Sequence, residues 1–224
     1  GGCCGTDPSF IRAMRQMLDQ KHPQDFPNPV VSRQACVCTP TCFVPIDRVR
    51  IIGERINPTG KKRLKQAILE QDFDYILSQG LSQLEAGAQI LDVNMGMPEV
   101  DESRMLPLVI QKLQGVLDAP LQIDSSNVKA IEQALRLYNG KPIVNSVNGE
   151  EGSMNAILPL VKKYGAAVVA LTLDDNGIPL LAEERFAIAE RIVAHAEQYG
   201  IPREDIYVDC LTLTASVQQK EVVE

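Results

Sequence analysis

Residues 50–62 read RIIGERINPTGKK, which compresses a strand, a polar turn and a helix start into one short stretch. Val49, Ile51 and Ile52 make an apolar run of strand length. Glu54, Arg55 and Asn57 follow at once, Pro58 and Gly60 break the chain, and Lys61 opens a pattern of helical period. The same plan then recurs toward the C-terminus. Strand-like runs end near Gly53, Val93, Ile123, Val144, Leu171 and Val208, with helical patterns between them, clearest over 127–138 and 182–199. In the last of these Phe186, Ala189, Ile192, Val193 and Ala196 form the expected apolar stripe, with His195 beside it as a structural or solvated side chain. Strand and helix signals that alternate in this way define an α/β fold.

Each strand exit carries polar side chains: Glu54, then Asp92 and Asn94, then Asp124, then Asn145 and Asn148, then Asp174 and Asp175, then Asp209. An open doubly wound sheet concentrates ligand groups at its switch point, on two or three strands. A closed barrel brings every strand end to one mouth, which explains polar groups on all six exits. The fold expected is therefore a (β/α)8 TIM-type barrel truncated after about six βα units. No G-x-G-x-x-G or P-loop pattern follows any strand, which argues against a dinucleotide or nucleoside triphosphate site.

In the other direction, residues 7–19 combine Asp7 as a cap, Pro8 in the first turn, and Phe10, Ile11, Met14, Met17 and Leu18 at helical spacing, as in a final packing helix. Residues 21–48 hold Pro23, Pro27, Pro29, Pro40 and Pro45 with little periodicity and read as an interdomain linker. The expected division is thus 1–20, the end of one domain; 21–48, the linker; and 49–224, an incomplete barrel. The sequence begins at Gly1 without a signal-peptide pattern, and is read as a segment of a longer protein. Cys36, Cys38 and Cys42 read as reduced linker thiols, and His22 as solvent-facing. Six cysteines in 224 residues, five of them within the first 42, are no disulfide framework and fit a cytoplasmic location. Cys3 and Cys4, between glycines, are either two thiolates facing one soft ion such as Zn2+ or two small residues at a close backbone approach.

A net charge of −7, 4% aromatic residues and no Trp exclude the basic, aromatic surface that nucleic acid requires. No apolar run is long enough to span a bilayer. The mouth offers Asp, Glu and Asn without a Cys-His or Ser-His pair, so nucleophilic catalysis by the protein is not indicated. Carboxylates and amides suit the N–H donors of an amino-pyrimidinone edge, a fixed carboxylate accepting two side by side. Asp124 and Asp209, each directly after an apolar strand, are the foremost candidates for ligand contact. The same residues leave two other readings open: a Mg2+ site, with Asp174 and Asp175 foremost, or helix N-caps.

Taken together, GERINPTG (53–60), LDVNMG (91–96), QIDSSN (122–127), IVNSVNGE (143–150), LTLDDNGIP (171–179) and VDCLTL (208–213) resemble successive strand exits of the pterin-binding barrel of methyltetrahydrofolate methyltransferases. The resemblance covers about three quarters of the chain, in order and spacing. GGCCGT (1–6) resembles the last metal-ligand segment of the homocysteine-binding barrel that precedes the pterin barrel in the cobalamin-dependent methionine synthase family.

That resemblance implies Cys3 and Cys4 as two of three zinc ligands, holding homocysteine as a thiolate. It places Asp124, Asn145 and Asp209 on the pterin ring of 5-methyltetrahydrofolate, with Glu54, Asp92 and Asn94 lining the same mouth. The implied methyl acceptor is a cobalamin carried by another domain or protein, and the implied N5 contact is an asparagine on a seventh strand outside this sequence. Alternatives of the same barrel are a methyltransferase serving a corrinoid iron–sulfur protein, a dihydropteroate synthase, or a folate-binding module without turnover; a phosphate-binding barrel enzyme is a further possibility.

Overall fold

The computed structural model describes residues 3–22 and 33–212. The chain divides into two compact units, Gly1–Arg33 and Gln34–Glu224. In the first, helix α1 (Pro8–Asp19) starts where the sequence predicts: Asp7 accepts the Ser9 N–H at 2.6 Å and Pro8 opens the first turn. Its apolar residues Phe10, Ile11, Met14, Met17 and Leu18 are all exposed.

The second unit carries a six-stranded parallel sheet whose spatial order follows the sequence: β3 (Ile52–Ile56), β4 (Ile90–Asn94), β5 (Leu121–Asp124), β6 (Ile143–Asn148), β7 (Ala167–Leu171) and β8 (Ile206–Asp209). Helices α2 (Lys62–Glu70), α3 (Phe73–Glu85), α4 (Glu102–Gln114), α5 (Val128–Leu137), α6 (Glu151–Tyr164) and α7 (Ala182–Gln198) fill the crossovers. Strand alternation sorts the side chains into two layers. Leu91, Val93, Leu121, Ile123, Val144, Val168 and Ala170 join the large core under the helices, whereas Ile90, Ile143 and Ala167 meet on the opposite face. Residues of β4, β6 and β7 thus share one apolar cluster on that face, as in the wall of a TIM-type barrel.

Strands β1 (Cys36–Cys38) and β2 (Phe43–Pro45) pair antiparallel, so the expected linker 21–48 contains an ordered hairpin. Val37 and Val44 are buried against Ile90, Ile143 and Ala167, at the N-terminal ends of the barrel strands. The hairpin is fastened by reciprocal backbone bonds of 3.0 Å between Cys38 and Lys141, and by Tyr138 Oη donating to the Cys38 carbonyl at 3.1 Å. Residues 23–32 and 213–224 lie outside the described residues; the latter include the stretch from Ser216 that the sequence, continuing the alternation of strand and helix, assigns to the start of a sixth barrel helix.

In α7 the buried face is Ile188, Ile192 and Ala196. Phe186, expected in the stripe, is 68% exposed, because the helix is turned to present Ile188 to the core. His195 is partly buried, with Nε2 3.3 Å from Asn155 Oδ1.

Candidate functional site

The inner face of the sheet changes from apolar to polar toward the strand C-termini. Above Ile90 and Ile143 the register sets Asp92 beside Gln122, and one layer higher sets Asn94, Asp124 and Asn145 side by side on three adjacent strands. Leu171 and Asp209 pair at the exits of β7 and β8. The strand ends therefore bring Asp92, Asn94, Asp124 and Asn145 into one contiguous polar group. Glu54 lies on β3, which neighbours β4, and its charge acts on both Asp92 and Asp124.

The group is cross-linked from within. Asn94 Nδ2 donates to Asp124 Oδ2 at 2.9 Å, while its Oδ1 accepts the Gly96 N–H at 2.8 Å and turns the chain after β4. Gln122 Nε2 donates to Asp92 Oδ1 at 2.6 Å. Asp92 is almost completely buried, and its Oδ2 has no partner among the described residues. Burial, opposed by Gln122 and Asn145 and reinforced by the charges of Asp124 and Glu54, pushes its carboxyl up to about 7. Burial and the Glu54 charge also raise Asp124, against the opposing Asn94 hydrogen bond. Clustered acids under partial desolvation favour a ligand that donates hydrogen bonds or arrives with positive charge.

Asp209 is exposed at the end of β8, and its Oδ1 accepts the Leu211 N–H at 2.7 Å. Its carbonyl accepts from both the amide and the hydroxyl of buried Thr172, at 3.2 and 3.1 Å. Other exit residues are occupied locally. Asn57 accepts Thr59 N–H, Asn148 accepts Glu150 N–H, and Asn127 caps α5. Asp174 accepts from Asn176 N–H and pairs with Arg191 at 2.9 Å, contacts that lower its pKa, while Asp175 is exposed. No group of three or more His, Cys, Asp or Glu side chains among the described residues is arranged to hold a metal ion.

Sequence reading missed Gln122 and Thr172 as site supports. The signal for Gln122 was present: it lies two residues before Asp124, on the same face of β5. Thr172 is recognisable only once β7 and β8 are adjacent.

In the first unit Cys3 and Cys4 are exposed free thiols with sulfurs 3.8 Å apart. Hydrogen bonds from Cys4 hold the Cys3 thiol below its ordinary value. Two thiolates at ~2.3 Å from one tetrahedral Zn2+ stand about 3.8 Å apart, so the pair fits half of such a coordination shell. Cys36, Cys38 and Cys42 are also free thiols, in the hairpin; burial raises Cys36 and Cys42.

The second unit is a parallel barrel wall with a cross-linked layer of acids and amides at the C-terminal end of its strands, the end at which barrels of this kind place their ligand sites. The family model described as "Pterin binding enzyme" matches residues 53–223, and the chain belongs to that family. Two curated relatives are methionine synthases: that of Mycobacterium leprae (strain TN), 29% identical over 235 aligned positions, and that of Mycobacterium tuberculosis (strain ATCC 25618 / H37Rv), 30% identical over 231. Each match covers 99% of this chain and 19% of the relative, so the chain spans about a fifth of their length. Among solved structures, Xanthomonas albilineans dihydropteroate synthase in complex with 7,8-dihydropteroate superposes with a TM-score of 0.59 at 22% identity, covering 84% of this chain and 69% of that one. The Yersinia pestis enzyme with a pterine–sulfa conjugate gives 0.58 at 18% identity, covering 78% and 63%. These two share the fold. No helix among the described residues is long and apolar enough to cross a membrane.

Proposed function

We propose that the barrel binds 5-methyltetrahydrofolate by its pterin ring and presents the N5 methyl group for transfer to a cobalamin carried on another domain, the methyl then passing to homocysteine to give methionine and tetrahydrofolate. The observation that carries this reading is the Asn94–Asp124–Asn145 row above the Asp92–Gln122 pair. The Asp124 carboxylate accepts from the amino-pyrimidinone edge, Asn94 fixes its orientation, and Asn145 supplies a neighbouring amide able both to donate and to accept. Asp209 approaches the ring from β8, and Glu54 lines the β3 side of the mouth. These residues bind and orient; none serves as a nucleophile, which agrees with a reaction whose methyl acceptor is a reduced cobalt centre.

Methionine synthase relatives matched over nearly the whole chain, the first unit included, support assigning Cys3 and Cys4 to a zinc site with a further ligand from outside these residues. Zinc bound there supplies the Lewis acidity that keeps a homocysteine sulfur ionised at neutral pH. The test of the pterin reading is calorimetric titration of 5-methyltetrahydrofolate into the full-length protein and into Asp124→Ala and Asp209→Ala variants. Saturable binding weakened at least about tenfold in each variant, roughly 1.4 kcal/mol, is expected. Unchanged affinity in both would remove the pterin ring from this mouth. Methyl transfer to free reduced cobalamin then separates a methyltransferase from a folate-binding module.

A further inference from the structure

The exit of β8 is held by a residue that none of the strand-end motifs contains. Arg185, in the first turn of α7, donates from Nε to the Pro179 carbonyl at 2.8 Å and from Nη1 to the carbonyls of Cys210 and Leu211 at 3.1 and 3.3 Å. Among the described residues its partners are thus three backbone oxygens, one in the loop after β7 and two in the turn after β8. Its Nη2 is buried without an acceptor among the described residues. Neutral carbonyls are an unusual set of partners for a guanidinium, and its planar fork is what allows one side chain to span both segments.

What it secures is the backbone that aims Asp209. Leu211 sits at φ 53°, a left-handed conformation that costs a side chain with a Cβ about 1 kcal/mol or more. That conformation points the Leu211 N–H back to Asp209 Oδ1 at 2.7 Å, so one carboxylate oxygen is tied down and the other is left for a ligand. Thr172 fixes the Asp209 carbonyl from the strand side, and Arg185 fixes the two following carbonyls from the helix side.

We propose that Arg185 is a positioning residue for pterin binding, acting through Asp209 by clamping the Cys210–Leu211 turn to the loop after β7. The inference rests on the reading that Asp209 contacts the pterin ring.

The experiment is a double-mutant cycle in the full-length protein: calorimetric affinity for 5-methyltetrahydrofolate in Arg185→Gln, Asp209→Ala and the double variant, with Asp124→Ala as reference. Arg185→Gln is expected to weaken binding about tenfold, and to cost nothing further once Asp209 is alanine. Arg185→Lys is expected not to restore affinity, since a single ammonium cannot reach the Pro179 and Leu211 carbonyls together. It also serves as the measured variant should Arg185→Gln fail to fold. Losses that add, or an unchanged affinity in either Arg185 variant, overturn the proposal. If Asp124→Ala weakens binding but Asp209→Ala does not, the pterin reading stands and the Arg185 role falls. If no variant alters binding, both fall.

Discussion

Asp92 shows how a single residue can be stabilised in one protonation state by its surroundings. It lies one layer below the Asn94–Asp124–Asn145 row, with Gln122 donating to Oδ1, no hydrogen-bond partner on Oδ2 among the described residues, and the amide of Asn145 and the carboxylates of Glu54 and Asp124 acting on it. Its folded-state pKa, about 7, lies above its ordinary value of 3.8, so the native protein holds a proton that the unfolded chain has released over that interval. Stability therefore falls as pH rises from about 4 to about 7, and the full cost of ionising the buried acid is present above that range. Asp92→Asn keeps an acceptor for Gln122 and removes the ionisable group. Thermal melting compared across pH should show the variant more stable than the parent at pH 8, by a few kcal/mol, with the advantage vanishing near pH 4. A constant difference between the two at all pH values would mean that Asp92 is not held protonated. The sequence disclosed that Asp92 stands at a strand exit. It could not disclose that Asp92 sits a layer beneath Asp124, because depth depends on the stagger between β4 and β5.

At the scale of elements, the six strands and the helices between them were legible because apolar runs of strand length alternate with helices of amphipathic period, two signals that reinforce each other. The hairpin was not legible. Its strands are three residues each, Pro40 follows the first and Pro45 ends the second, and their partners at Ile90, Lys141, Ile143 and Ala167 are far away in sequence. Its contribution is nonetheless measurable. Val37 is fully buried, so Val37→Ala is expected to cost about 1.5–3 kcal/mol in denaturant unfolding, whereas Phe43→Ser, at a position 59% exposed, should change stability by no more than about 0.5 kcal/mol. Gly140 marks the docking point more sharply. Its φ is 135°, and a Cβ there would lie 2.2 Å from the Cys38 carbonyl oxygen, which is backbone and has nowhere to go. Gly140→Ala should therefore cost about 2–4 kcal/mol, strain and overpacking combined. A Gly140→Ala protein as stable as its parent would show that the hairpin does not close the base of the barrel.

For the molecule as a whole, the division into Gly1–Arg33 and Gln34–Glu224 assigns two proposed chemistries to two compact units. The row proposed to hold the pterin is built entirely from barrel strands, and the vicinal thiols Cys3 and Cys4 lie entirely in the first unit. The core of the barrel is made of residues of the second unit, from its own helices and strands and from the hairpin. Removal of residues 1–33 should therefore leave the barrel's melting temperature and its affinity for 5-methyltetrahydrofolate unchanged, and abolish any zinc bound through Cys3 and Cys4. The measurement pairs calorimetric titration of the folate with a colorimetric zinc count on the full-length protein and the deletion variant. Zinc lost with folate affinity intact is the expected outcome, and Cys3→Ala with Cys4→Ala in the full-length protein should reproduce it without any deletion. Folate affinity that falls with residues 1–33 would show that the first unit helps to form the pterin site. Zinc retained by the deletion variant would move the metal to thiols or carboxylates of the second unit, where no suitable cluster exists among the described residues.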